Sequence, residues 1–348
     1  MKRILLVGAG HAHAVVLKKL AEKPLAGARV ALISPAAKQI YSGMLPGVVA
    51  GLYRRYEAEV DVERLAEAGD AEFSEGAVVS IDPALRIARL ADGAELSYDV
   101  ISINAGSLAE VSVPGAAQHA LQVRPFDTFV RRVRFPPRVA LAGGGAAGAE
   151  LAMAFRRRGC AVTLYSEESP FEKTFEARLI EALRSRGVDF RRGMAVTRLE
   201  PGPVVITGTA QQEFDLVVWS TGARALPWLA ESGLETDDRG FLLVDETLRS
   251  VSSAEVFAAG DCATVRGASH PKSGLYSVRH GEVLADNLRK MLAEEPLRPF
   301  RPQKRGLLLL SCGNRYAIAS RGGWTAEGRW VWRWKDWIDR RWVRSLAV

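Results

Sequence analysis

The chain has 348 residues, of which 48% are hydrophobic and 25% are charged, as in ordinary soluble globular proteins with room for two or three domains. This composition rules out a disordered tail, a collagen-like chain and a disulfide-stabilised miniprotein. Lys and Arg (47) exceed Asp and Glu (40), giving a net charge of +7. Because the basic residues are spread through the chain, the charge alone gives no reason to expect a nucleic-acid partner.

The cysteines and the longest apolar runs indicate in which cellular compartment the protein is expected. Cys160, Cys262 and Cys312 lie far apart and form no C-x-x-C pair, so neither a disulfide framework nor a Cys-rich metal site is expected. The aliphatic run 307–310 is much shorter than the roughly 18 apolar residues of a spanning helix. Glycines interrupt the apolar start too early for a signal peptide. We therefore expect a cytoplasmic protein without a transmembrane segment.

The first 33 residues are typical of a β-α-β unit. Residues 3–7 form an apolar run, 8–13 a glycine-containing turn, 14–21 a helical stretch and 29–33 a second apolar run. Glycines allow a backbone to approach a pyrophosphate, whose charge then lies at a helix N-terminus. His13 occupies the third glycine position, so a parallel sheet without a nucleotide stays an alternative at this point.

A second unit of this kind begins at residue 138. An apolar strand at 138–142 runs into the complete G-x-G-x-x-G of residues 143–148, followed by a helix at 149–158. The next strand, 160–165, is followed by Ser166 and Glu167. A carboxylate here accepts hydrogen bonds from a ribose 2′-OH and repels a 2′-phosphate, which favours NADH, with NADPH as the alternative.

Two glycine fingerprints in one chain indicate two nucleotides that face each other, as in a flavoprotein. Residues 99–107 and 214–223 are each an Asp, an apolar strand and a small-residue turn, which indicates an internal duplication. A further strand at 256–259 ends in Gly260 and Asp261. This places a carboxylate at the carboxyl end of a strand, where open α/β sheets bind ligands, although an Asp that caps a turn is the alternative.

In this order, the elements resemble the FAD-dependent pyridine nucleotide-disulfide oxidoreductase superfamily, over nearly the whole chain. Within it the sequence looks most like the type II NADH dehydrogenases and the flavoprotein sometimes fused to a selenophosphate synthetase domain. The closer match is carried by residues 41–47, 256–263, 271–274 and 330–341. We expect an α/β fold of two Rossmann-like dinucleotide-binding domains with a short C-terminal segment. The expected bounds are 1–107 and 229–298 for the FAD domain, 108–228 for the NAD(P)H domain and 299–348 for the C-terminal segment.

The resemblance also implies the site residues. FAD would be bound by Gly8, Gly10, His11, Ala12, Ser34, Lys38, Ser42, Val78, Ala105, Gly106, Gly260, Asp261, Gly274 and Leu275. The nicotinamide nucleotide would be bound by Gly143, Gly145, Gly148 and Glu167. The candidate catalytic residues are Glu150, which would lie near the nicotinamide ring, and Lys272. For Glu150 the alternative is an acid favoured at a helix N-terminus by the helix dipole.

No metal site is predicted, because His11 and His13 are two residues apart and no nearby Cys or acid completes a ligand set. Ser34 stands where an acid would bind the adenosine ribose of FAD. His13 departs from the commonest FAD fingerprint, and a packed histidine without a ligand is an equal interpretation of it.

The expected chemistry is hydride transfer from NAD(P)H to flavin N5, followed by electron transfer to a quinone-like or other small acceptor. The chain lacks the close cysteine pair of a dithiol reductase. Two alternatives stay open: a sulfur- or selenium-directed flavoprotein, and a flavin-binding regulatory protein without turnover.

The last twenty residues alternate tryptophan with arginine. On a helix, Trp330, Trp334, Trp337 and Ile338 gather on one face, as in an interfacial helix among anionic lipid headgroups, where a membrane quinone is reachable. This predicts peripheral contact with the inner face of the cytoplasmic membrane. The alternative is that the Trp face packs on the FAD domain or on the partner in a homodimer. The rest of the chain gives no support to a nucleic-acid partner.

Overall fold

The computed structural model describes residues 1–268, 270–303 and 306–348. Its elements are numbered in chain order. The N-terminal part contains β1 (Lys2–Val7), α1 (His11–Glu22), β2 (Ala28–Ser34), β3 (Lys38–Ile40), α2 (Leu45–Val49), β4 (Glu59–Asp61), α3 (Val62–Ala68), β5 (Ala71–Glu75), β6 (Val78–Asp82), β7 (Ile87–Leu90), β8 (Glu95–Ser97) and β9 (Val100–Ile103).

The middle part contains β10 (Leu108–Ala109), α4 (Ala116–His119), β11 (Leu121–Gln122), α5 (Phe126–Arg132), β12 (Arg138–Ala142), α6 (Ala146–Arg157), β13 (Ala161–Ser166), α7 (Lys173–Ser185), β14 (Asp189–Arg192), β15 (Arg198–Glu200), β16 (Val204–Thr207), β17 (Ala210–Glu213), β18 (Leu216–Trp219), β19 (Ala223–Arg224) and α8 (Pro227–Glu231). The last part contains β20 (Leu242–Val244), β21 (Val256–Ala258), β22 (Ala263–Val265), α9 (Gly274–Leu292), β23 (Leu308–Ser311), β24 (Ala317–Arg321), β25 (Trp324–Gly328) and α10 (Arg329–Ser345).

Two five-stranded sheets share one design. Their strand orders are β21-β9-β1-β2-β5 and β11-β18-β12-β13-β14, and all pairings are parallel. In each, the glycine turn follows the central strand, and the Asp-led strand lies beside it. Asp99 accepts the N–H of Arg3, and Asp215 accepts the N–H of Arg138. The α/β fold with two Rossmann-like units is thereby confirmed.

The two glycine-turn helices begin earlier than predicted. α1 begins at His11 rather than at residue 14, and α6 begins at Ala146 rather than at 149. The first residues of a helix need no N–H partner within it, so the chain enters the helix directly after the second glycine of each turn. The sequence analysis had assigned these residues to the turns.

The two units are connected by β10 and β19, which pair antiparallel, and the chain returns to the first sheet at β21. The C-terminal strands β23–β25 form an antiparallel sheet. Its Leu310 and Ile318, with Cys312 just after β23, pack in the core of the second unit. The C-terminal segment is therefore attached to the core, while the predicted domain bounds stay a prediction.

Buried histidines make the stability of the fold depend on pH. Burial lowers the pKa of His13 to about 4 and that of His280 to about 3, although His13 is hydrogen-bonded to the Gly8 carbonyl. Because these values lie below the ordinary value, the stabilisation is complete above pH 6.5 and is lost as the pH falls towards 4.

We expect the free energy of unfolding, measured with urea, to fall by about 2 kcal/mol per buried histidine between pH 6.5 and 5. The His13→Asn variant should show a shallower decline. Parallel curves for the variant and the wild type would contradict this assignment.

Candidate active site

A single cleft of about 1480 Å³ is lined by residues at the carboxyl ends of strands from both sheets, including Gly8, Ser34, Gly143 and Ser166. The carboxyl edge is where open parallel sheets bind ligands. The volume exceeds the roughly 300–1,000 Å³ of a pocket for one small molecule. The cleft therefore offers two adjacent nucleotide sites.

The first glycine turn is held by Asn104, a residue that the sequence analysis did not assign to the site. Its Oδ1 accepts the N–H groups of Ala12 (3.0 Å) and His13 (3.1 Å), and its Nδ2 donates to the Ala259 carbonyl (2.6 Å). A side chain at Gly10 would collide with Asn104. Since Asn104 accepts the N–H groups of Ala12 and His13, the N–H groups of Gly10 and His11 are left for an anion.

His13 is a packed side chain, as one of the two interpretations expected. It is fully buried, its Nδ1 lies 2.6 Å from the Gly8 carbonyl oxygen, and its Nε2 lies 2.8 Å from Ser102 Oγ. The imidazole thus joins α1 to β1 and β9, where the usual glycine would bring the helix closer to the strand.

In the second glycine turn, each glycine is required for a different steric reason. Gly143 has a φ of +110°, which favours glycine, and a side chain at Gly148 would collide with the Gly143 carbonyl. Gly145 has no protein atom within 4 Å of where its Cβ would be, because it faces the cleft. Glu167 lines the same cleft just beyond β13 and is exposed.

Asp261 lines the cleft and forms an ion pair with Arg124. Its Oδ2 is 3.1 Å from Nη1 of Arg124, which also donates to Ser107 Oγ. Both side chains are about one-fifth to one-quarter exposed. Arg124 lines the cleft and was not predicted from the sequence, because 137 positions separate it from its partner along the chain.

If Asp261 binds the ribityl chain, as the sequence predicts, the Asp261→Ala variant should retain FAD about 10- to 150-fold less tightly, because it would lose a charge-assisted hydrogen bond of about 1.5–3 kcal/mol. FAD retention is measured by flavin fluorescence after gel filtration. Retention equal to that of the wild type would show that Asp261 does not contact the flavin nucleotide.

The N-terminus of α9 faces the cleft through Gly274. No side chain caps this helix, so its first N–H groups and its dipole can stabilise negative charge on a group bound in the cleft. Leu275, next in the chain, is 39% exposed and lies outside the cleft lining.

Lys272 also lines the cleft, but its ammonium group already has partners. Its Nζ donates to the Ala263 carbonyl and to Thr264 Oγ1 (2.9 Å), and it lies 4.0 Å from the centre of the Phe241 ring. Burial lowers the pKa of Lys272. These contacts fix β22 to the loop before α9, and a catalytic role for Lys272 stays a prediction.

Glu150 on α6 is a carboxyl group with a raised pKa in the cleft wall. Burial raises the pKa of Glu150 to about 7, although nearby Lys335 and the N–H of Ser311 both lower it. Its Oε1 accepts that N–H at 2.7 Å. A carboxyl group with this pKa holds and releases a proton near neutral pH.

The remaining predicted residues divide into two groups. Those that line the cleft are Ser34, Ser42, Val78, Ala105 and Gly106. Lys38 is exposed near Asp61, and Gly260 packs against Asn104 and Ser277. Their contacts with a cofactor stay predictions.

The three cysteines are free and buried. Burial raises the pKa of Cys262 to about 11 and that of Cys312 to about 12, so neither thiol is activated as a nucleophile. No group of three His, Cys, Asp or Glu side chains suited to a metal ion occurs among the residues that the structure describes.

The cleft geometry agrees with the comparison of the sequence with protein families. A model described as "Pyridine nucleotide-disulphide oxidoreductase" matches residues 2–281. The chain belongs to this family. The expected enzyme class, an FAD-dependent NAD(P)H oxidoreductase, and the expected cofactors, FAD and a pyridine nucleotide, are thereby confirmed. The finer resemblance to a flavoprotein fused to selenophosphate synthetase stays a prediction.

Three curated relatives of this oxidoreductase are named as reductases or dehydrogenases. A nitric oxide reductase FlRd-NAD(+) reductase from Aeromonas salmonicida is 32% identical over 203 residues, which are 55% of this chain and 52% of that protein. An NADH dehydrogenase-like protein from Mycobacterium tuberculosis is 28% identical over 286 residues, 71% of each chain. A type II NADH:quinone oxidoreductase from Haemophilus influenzae is 24% identical over 52% of this chain and 46% of its own. The chain thus spans about half of the first of these relatives.

Two solved structures share the fold of the oxidoreductase. The sulfide:quinone oxidoreductase of Aquifex aeolicus has a TM-score of 0.81 at 16% identity and matches 99% of this chain and 91% of its own. NDH2 of Plasmodium falciparum in complex with NADH has a TM-score of 0.81 at 13% identity, over 99% and 98%. In residues 1–268, 270–303 and 306–348, no helix has the length and apolar character needed to cross a membrane.

Proposed function

We propose that this oxidoreductase is an NADH dehydrogenase that passes electrons from FAD to a quinone-like acceptor. The observation that supports it is that both glycine turns open into one cleft, with the Glu150 carboxyl group on the helix that follows the second turn. The first turn suits a tightly bound FAD and the second an exchanging NADH.

The residues around the first turn fit FAD. The N–H of His11 would donate to the pyrophosphate. The backbone at Gly106 leaves open space beside the chain, and the Asp261 carboxylate would accept hydrogen bonds from the ribityl hydroxyls. When bound, FAD supplies a ring that accepts hydride and releases electrons. The N-terminus of α9 would stabilise negative charge on that ring.

The acid–base chemistry falls to Glu150. Reduction of a quinone to a quinol consumes two protons, and a carboxyl group with a pKa of about 7 is protonated in a large fraction of molecules at neutral pH. Glu150 therefore holds a proton for the acceptor, and Lys335 keeps its pKa from rising further.

The choice of NADH over NADPH is proposed from the adenosine end of the second site. The lining there includes Tyr165, Ser166 and Glu167 on one side and residues 194–196 on the other, and none of these residues is basic. A 2′-phosphate would meet the Glu167 carboxylate without a compensating cation.

The experiment that tests the function is an anaerobic visible spectrum before and after one equivalent of NADH and, separately, of NADPH. Rapid bleaching of a flavin spectrum by NADH, slower bleaching by NADPH and reoxidation by a quinone are expected. A flavin that neither nucleotide reduces would contradict the proposal and favour a regulatory protein.

A sulfur-directed flavoprotein is the second candidate, because a sulfide:quinone oxidoreductase shares the fold. That chemistry would need a reactive thiol. The Cys160→Ser and Cys312→Ser variants are therefore expected to keep their NADH:quinone activity. Loss of activity with FAD still bound would overturn the cysteine-independent mechanism.

We propose that α10 contacts an anionic membrane surface, on the inner face of the cytoplasmic membrane. Trp330 and Trp337 are 55% and 57% exposed, and Arg333, Arg341 and Arg344 are exposed beside them. This combination suits phosphate headgroups and the membrane interface.

Flotation with vesicles that contain phosphatidylglycerol tests this contact, using a variant with Trp330→Ser and Trp337→Ser. The variant should float less than the wild type. Equal flotation, or none by the wild type, would remove the proposal, and a change from dimer to monomer in the variant would instead favour a homodimer contact.

A further inference from the structure

The His11 ring lies where four elements meet, three of which line the cleft. It is in the first turn of α1, its Nε2 is 3.3 Å from Ser42 Oγ in the loop after β3, and it borders Gly274 at the start of α9. The fourth element is α10, whose Trp342 stacks on the imidazole with centroids 5.2 Å apart and an interplanar angle of 26°. The C-terminal helix thus reaches the N-terminus of α1.

Trp342 also contacts the second side of this junction. Its ring stacks on Tyr41 at 4.4 Å and 28°, and Tyr41 precedes Ser42 in the same loop. The Tyr41 and His11 rings are 5.4 Å apart, so the three rings touch pairwise. Offset aromatic contacts of this kind hold the rings at a fixed spacing.

Polar contacts fix the position of α10 against residues 43–57. Lys335 Nζ donates to the Gly43 carbonyl (2.6 Å) and to Asp339 (2.7 Å), and Tyr53 OH donates to Asp336 (2.6 Å). Arg340 forms an ion pair with Glu57 at 2.9 Å. Because most of these bonds reach residues 43–57, the helix cannot slide without breaking several of them.

The backbone of His11 carries a free N–H at the start of α1, and the His11 ring stacks on Trp342. We propose that Trp342 is a positioning residue for the FAD site: by holding the His11 ring and Tyr41, it keeps that N–H and Ser42 aimed at the flavin nucleotide. This inference rests on the proposed binding of FAD at the first glycine turn.

The His11 ring in this stack is neutral at neutral pH. Burial lowers the pKa of His11 to about 4, against the opposing effect of Asp261. At neutral pH the contact with Trp342 is therefore an aromatic stack without a cationic partner, and phenylalanine in place of Trp342 should maintain most of it.

A matched pair of variants tests the inference. Trp332 lies on the same helix, is also partly buried and stacks on Tyr53 at 6.4 Å, but it does not reach His11. The holoenzyme forms of Trp342→Ala, Trp342→Phe and Trp332→Ala are diluted, and FAD release is followed by the rise in flavin fluorescence. Thermal unfolding of each protein is measured in parallel.

We expect Trp342→Ala to release FAD about tenfold faster than the wild type, and Trp342→Phe to release it within about threefold of the wild-type rate. Trp332→Ala should lower the unfolding temperature without changing the release rate. Equal release from Trp342→Ala and Trp332→Ala would overturn the inference. If Trp342→Ala does not fold, Trp342→Leu takes its place in the same comparison. A wild-type protein that binds no FAD would instead contradict the proposed function.

Discussion

Replacing Glu150 with Gln is expected to reduce turnover with a soluble quinone by about 10²–10⁴-fold, while NADH still reduces the flavin. The amide has nearly the shape of the carboxyl group, and its oxygen still accepts the Ser311 N–H, but it cannot hold the transferable proton. The step that needs a proton is therefore slowed, and the positioning of NADH is kept.

The pH dependence gives an independent measurement of the same role. Burial raises the pKa of Glu150 to about 7, so the fraction of the protonated acid, and with it the rate of quinone reduction, should decline as the pH rises through 7. The Glu150→Gln profile should lack this decline. Glu176→Gln is the control, because this carboxylate on α7 pairs with Arg192 at the end of β14 and does not line the cleft. Equal turnover in both variants would contradict the role of Glu150.

Replacing Gly145 with Val is expected to weaken the binding of NADH, and with it reduction of the flavin at low NADH concentration, while FAD remains bound. The φ of Gly145 is −69°, which any residue adopts, and no protein atom lies within 4 Å of the added Cβ. The side chain therefore fits the fold and occupies the space in which a pyrophosphate approaches the N-terminus of α6.

The effect is measured by stopped-flow reduction at increasing NADH concentration, where we expect an increase of at least about 100-fold in the half-saturating concentration. Gly145→Ala should have a smaller effect, since it adds one methyl group. Reduction by dithionite is the control and should be unchanged in both variants. A wild-type dependence on NADH in Gly145→Val would show that the nucleotide does not bind at this turn.

Local sequence patterns were sufficient to predict the two Rossmann-like units. Each glycine turn comes directly after a buried strand, and the Asp-led strands mark the same place in both units, so the duplication could be predicted from order alone. The residues that hold the site together through long-range contacts could not be predicted in this way. Asn104 and Arg124 act through contacts with residues 92 and 137 positions away, and no spacing rule encodes such contacts.

The C-terminal helix α10 shows a second limit of prediction from sequence periodicity. Periodicity placed Trp330, Trp334 and Trp337 on one face, and two of these three are exposed. The buried side of the helix, however, includes Lys335 and Asp339, which are 7% and 5% exposed and pair with each other. Charged residues are rarely buried unless paired, and the tryptophan periodicity does not identify this buried pair.

The bonds of His13 carry a lesson for protein engineering. Restoring the usual glycine by His13→Gly would remove the ring whose Nδ1 donates to the Gly8 carbonyl and whose Nε2 accepts from the Ser102 hydroxyl, and it would leave a void between α1 and two strands. A redesign guided by the most frequent residue at each position would therefore weaken this nucleotide fold at the very position that defines its fingerprint.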